Sequence, residues 1–162
     1  MNNVYGSPAE WVTAGAAIFA LALSIAAFAI ARRSERRHLF VQIHELLTSP
    51  ESQAGRRLLH DAKDTRELDR LRRKRDPKEY DRINRAVSQF NTLALYARHG
   101  YLPLEMAKLQ WADTIVRSWP RIEAYLLWRR EAHGAPALWE DLVWFAQECG
   151  APVRADLRER RA

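Results

Sequence analysis

The chain has 162 residues, 26 Lys or Arg against 20 Asp or Glu, a formal charge of +6 and one cysteine. Such a length gives one soluble domain its own core but not comfortably two once any membrane segment is set aside. The single Cys149 excludes an intrachain disulfide and a cysteine-rich metal site, and it reads as a small buried residue on the last helix in a reducing compartment.

The first element in chain order is an apolar run from Trp11 to Ala31, interrupted only by Thr13, Gly15 and Ser24. As a helix rising about 1.5 Å per residue it matches the thickness of a bilayer's hydrocarbon core, which predicts a transmembrane helix over residues 11–31 after a short extracytoplasmic segment, 1–10. Arg32, Arg33, Arg36 and Arg37 follow at once, and no Lys or Arg precedes Ala31. By the positive-inside rule this places the C-terminal part in the cytoplasm and the N-terminus outside. A cleaved secretory signal is the competing reading. It calls for positive charge before a shorter apolar core, the reverse of the order seen here. Glu10 is the only charged side chain before Ala31, so the remainder carries +7 and suits an anionic inner leaflet or another polyanion.

Residues 32–48 keep helical spacing through Leu39, Ile43, Leu46 and Leu47, so the membrane helix is expected to continue as a juxtamembrane helix. Ser49, Pro50 and Glu51 read as a cap, a first helical residue and a favourable carboxylate, opening a helix to about His60. Between Asp61 and Asp76 only Leu68 and Leu71 interrupt the charge, which predicts a short exposed helix or a loop. Asp76-Pro77 repeats the cap signal. The helix it opens carries Ile83, Val87, Phe90, Ala94 and Ala97 on one stripe and ends at Gly100. After Pro103, Met106, Leu109, Val116 and Trp119 suggest a second buried face antiparallel to the first, because the connection is short. Pro120 is read as starting another helix with Ile122, Tyr125, Leu126 and Trp128. The turn 133–136 then leads to a last helix with Leu138, Leu142, Phe145 and Cys149, and residues 151–162 form a basic tail. No segment alternates with period two, so the class is all-α: a single N-terminal transmembrane helix followed by a small cytosolic helical bundle, 49–150.

Residues 80–147 carry the pieces Phe90-Asn91, Ala97-Arg98-His99-Gly100-Tyr101-Leu102, Trp111 to Trp119 and the Arg129-Arg130 helix end. In these pieces the chain resembles an uncharacterised bacterial family, a domain of unknown function found in short single-pass membrane proteins with a cytosolic helical domain. The resemblance implies that architecture and a bacterial inner membrane, and it brings no catalytic residues with it.

Two sets of residues are candidates for binding. Arg66, Arg70, Arg72, Arg73, Lys74 and Arg75 form a basic segment that attracts anionic lipid or nucleic acid. Glu67, Asp69, Asp76 and Glu79 interleave with it and no aromatic ring offers a base-stacking platform, which makes a solvated, locally paired face the simpler reading and nucleic acid a poor partner. Asn84, Ser88 and Asn91 form a polar strip beside the strong apolar stripe. With Asp113 and a counter-charge from Arg117 or Arg129 they would line a polar pocket, or else satisfy one another and set the packing register. Trp111, Trp128 and Trp144 stand off the stripes assigned to their helices, so an exposed pair among them would mark a partner surface.

His38, His44, His60, His99 and His133 include no i,i+4 pair for a metal, and no phosphate loop, nucleophile elbow or spaced acid pair is present. The expectation is therefore a non-catalytic, cofactor-free interaction or regulatory module that docks a protein partner or a second copy. A binder of anionic lipid or nucleic acid through 66–75, and a membrane-acting stress or antiviral effector, are the alternatives.

Overall fold

The computed structural model describes residues 8–62 and 77–158, and among them are six helices: α1 Pro8–Thr48, α2 Pro50–Asp61, α3 Pro77–Arg98, α4 Leu104–His133, α5 Glu140–Glu148 and α6 Ala155–Arg158. No strand occurs among the described residues, and the class is all-α. The basic segment 66–75, the Asp76 cap, and Arg160 and Arg161 lie outside them. The chain divides into two compact units, Met1–Leu39 and Phe40–Ala162.

In the first unit, residues 11–38 are all exposed. Phe19 is 71% and Ile30 70% open, and by length and composition this helix is long and apolar enough to cross a membrane. Its one serine in the apolar stretch is satisfied internally, the Ser24 hydroxyl donating to the Ala20 carbonyl at 2.8 Å.

The second unit is built around α3, which packs against α2, α4 and α5. Every residue of its expected stripe is buried, Ile83, Val87, Phe90, Ala94 and Ala97 among them. Helix α2 starts as its sequence predicts: Pro50 is in the first turn, and the Ser49 side chain accepts from the Ser52 amide at 3.3 Å. Its Gly55 lies so close to α3 that a Cβ there would stand 2.2 Å from the Arg82 carbonyl oxygen, so only glycine permits this approach. Helix α3 ends with the Tyr101 amide on the Tyr96 carbonyl and the Gly100 amide on that of Ala97, and α4 ends likewise with the amides of Ala135 and Gly134 on the carbonyls of Arg130 and Glu131. Gly100 and Gly134 both have positive φ, the backbone this closure demands.

Three expectations are corrected. Helix α4 does not restart at Pro120 but runs unbroken through it. The proline removes one backbone donor and crowds the preceding turn, yet Trp119 and Ile122, 0% and 1% exposed, are buried on either side and hold the helix together. The buried face of α4 is only in part the one expected, sharing Trp119 with it. It runs Ala107, Trp111, Ile115, Trp119, Ile122 and Leu126, whereas Met106 and Leu109 are 43% and 91% exposed. Finally, residues 151–157 are not a free tail, because Ala151, Val153 and Leu157 are buried and the Arg154 amide donates to Glu123 at 3.0 Å.

Candidate functional site

The polar strip of α3 does not converge on a pocket with Asp113. Because the buried face of α4 lies elsewhere, Asp113 is exposed and pairs with Arg117 one turn on in its own helix. Asn91 instead has a structural role, since its side-chain oxygen accepts from the Leu142 amide at 3.1 Å and so satisfies one of the free donors in the first turn of α5. Ser88 is half-buried, with its carbonyl taking the Thr92 hydroxyl. Asn84 accepts a long 3.5 Å bond from the Tyr125 hydroxyl, which leads to the remaining member of the set, Arg129.

Arg129 sits among aromatic rings. Its guanidinium lies 5.7 Å from the centre of the Tyr80 ring and 5.6 Å from that of Trp139, and it donates to the Tyr80 hydroxyl. Tyr125 stacks on Trp139 at 5.8 Å and also meets Trp128. Burial, reinforced by Tyr80, pushes the Tyr125 hydroxyl far above the ordinary phenol range, so it stays neutral. Trp139 adopts a left-handed backbone, φ 56°, immediately before α5. Cation and rings thus fix the turn between α4 and α5.

Behind that turn opens a cavity of about 150 Å³. Arg130, 7% exposed, borders it, its Nε–H donating to the Leu138 carbonyl at 2.9 Å. Pro136 and Ala137 form one lip, Val143, Trp144 and Gln147 of α5 one wall, and Leu157 of α6 another. Glu140 also borders it, 3.5 Å from Arg98, which binds Asp141 at 2.7 Å. Sequence reading missed this site although it held a signal: Ile122, Leu126 and Arg130 recur at four, so an arginine continues the apolar stripe of α4.

The remaining candidates scatter. Trp111 is buried, packed between His44 and Phe90 with both ring centroids 5.8 Å away, and Trp128 and Trp144 are half-buried, so these three do not form an exposed pair. Arg56 serves the fold, donating to the Leu47 carbonyl at 2.7 Å and to the Ser52 hydroxyl at 2.9 Å. Cys149 is half-buried, and its thiol is pushed up to about 11 by burial, the opposite of an activated nucleophile. Among the described residues no cluster of three His, Cys, Asp or Glu is placed to hold a metal ion.

Fold and site together define an all-helical protein in which an exposed apolar helix precedes a domain with an arginine-bordered cavity. The chain belongs to the family described as Domain of unknown function (DUF4760), which it matches over residues 14–149. No curated protein and no solved structure matches it.

Proposed function

We propose that this is a single-pass protein of a bacterial inner membrane, anchored by residues 11–31 with its N-terminus outside, whose cytosolic helical domain is a non-catalytic interaction and regulatory module. The observation that carries the reading is the complete exposure of a helix that is apolar all round. A helix of that kind needs an apolar medium on every side, and each large side chain such as Phe19 or Ile25 gains about 1.5–3 kcal/mol on leaving water. Lipid supplies that medium. The family match begins at residue 14, inside the apolar stretch, which favours an anchor that belongs to the module over a leader that is cut away. Arg32, Arg33, Arg36 and Arg37 set the orientation. An interaction role rests on a well-built core beside surface apolar side chains, Leu109 and Tyr101 the most open.

Alkaline carbonate washing of membranes from bacteria expressing the full chain tests the anchor. The protein is expected in the pellet, and recovery in the supernatant overturns the reading. In-cell crosslinking tests the module: a discrete adduct with a partner or a second copy is expected, and monomer alone in cells that require the protein counts against it.

A further inference from the structure

A groove opens where α2, α3 and α4 meet, with Arg56, His60, Ser118 and Arg121 at its rim and Leu59, Val87, Phe90 and Ile122 in its floor. We propose that it docks an acidic segment of a partner protein, whose carboxylates meet Arg121, Arg56 and His60. This rests on the reading of the helical domain as an interaction module and deepens it by naming the partner's chemistry. Size decides the class of occupant. The enclosed space is about 10 Å³, room for a single water, so neither an acyl chain nor a small organic molecule is engulfed there and the occupant lies along the groove as a surface. Nucleic acid finds no stacking platform, because Phe90 is 1% exposed with the Arg56 guanidinium 5.7 Å from its ring centre.

Charge decides the chemistry. Every titratable residue lining the groove is basic: Arg56, His60 and Arg121. Among the described residues Arg56 is held by neutral groups alone, the Leu47 carbonyl, the Ser52 hydroxyl and the Phe90 ring, so no carboxylate offsets it. Burial lowers its pKa from the ordinary guanidinium value, as expected of a cation short of both water and opposite charge. Arg121, half-buried, makes no hydrogen bond or ion pair among the described residues. His60 has an acid beside it, Asp61 at 3.6 Å, but both side chains stand largely in water, where such a pair binds weakly. A groove of one sign selects a partner of the other and speeds its arrival.

The test uses the full chain in phosphatidylcholine nanodiscs at physiological ionic strength. The probe is a capped, fluorescein-labelled heptapeptide with one leucine between two runs of three aspartates, followed by anisotropy. Saturable binding is expected, and none with asparagines in place of the aspartates. Arg121→Glu and Ser118→Glu, both at the rim, are each expected to weaken it about tenfold or more, whereas Arg57→Glu, exposed on α2 outside the groove, changes it by about twofold at most. Thermal unfolding of the three variants is expected to match that of the unaltered chain, so that weaker binding reports the groove and not the fold. In cells, the crosslinked adduct is expected to be lost with Arg121→Glu and kept with Arg57→Glu. An adduct indifferent to Arg121→Glu overturns the groove and leaves the interaction module standing; no adduct from the unaltered chain counts against both. Binding that survives Arg121→Glu, equal losses from Arg57→Glu and Arg121→Glu, or displacement of the peptide by dihexanoylphosphatidylglycerol as readily as by unlabelled peptide each overturns the proposal.

Discussion

Phe28 in the apolar stretch of α1 and Phe90 in α3 are the same side chain in opposite settings, 67% and 1% exposed. The contrast extends to the regions around them. From Trp11 to Ala31 the polar interruptions are too few to define a second face, so no orientation of that helix on a protein surface hides its apolar atoms. Along α3, Asp81, Arg82, Arg85 and Arg98 take the water side and leave one stripe for the core. Apolar content alone does not make a core helix; a polar face to oppose it does.

Breaking the first half of that contrast should have the largest effect. Leu21→Arg with Ser24→Arg puts two charges in the middle of the proposed span at about 2.5–3.5 kcal/mol each, and carbonate extraction is expected to move most of the protein from pellet to supernatant. In the second half, Trp119→Ala empties a wholly buried site and is expected to cost about 3–5 kcal/mol in denaturant unfolding. Leu109→Ala on the same helix, at 91% exposure, should stay within about 0.5 kcal/mol, which measures the corrected orientation of α4 directly. Gly55→Ala forces α2 away from the Arg82 carbonyl and is expected to lower stability by about 1–3 kcal/mol. Asn91→Ala removes a helix-start partner, worth about 1 kcal/mol by thermal unfolding. A similarly small change is expected from Asp113→Asn, about 0.2–0.5 kcal/mol, because its pair with Arg117 is exposed and local to one helix; a larger loss would place Asp113 in a pocket after all.

Helix existence was legible wherever local chemistry decides it. Ser49-Pro50, Gly100 and Gly134 mark ends through backbone donors and φ values that neighbouring residues alone determine. The α3 stripe was legible because its polar positions leave no second solution. Helix α4 was misread because Met106 and Leu109 offered one apolar stripe and Ala107 and Trp111 another, and the choice between them is made by what packs opposite, His44 and Phe90 against Trp111. Pro120 misled for a similar reason: its local penalty is real, but the burial of Trp119 and Ile122 outweighs it. Of the candidate site, the polar strip was seen as a group and scattered into separate roles. The cavity that does form joins Arg130 to Leu157 across three elements, a conjunction that no local spacing encodes.

Trp139 holds the corner before α5 against the preference of its own backbone. A side chain in the left-handed region costs its backbone about 1–2 kcal/mol, while stacking on Tyr125 returns about 0.5–1.5 kcal/mol, to which the Arg129 contact adds. The two nearly cancel. This corner is therefore kept by a ring in its seat and not by the habit of the chain, so the path of the backbone into α5 depends on one indole.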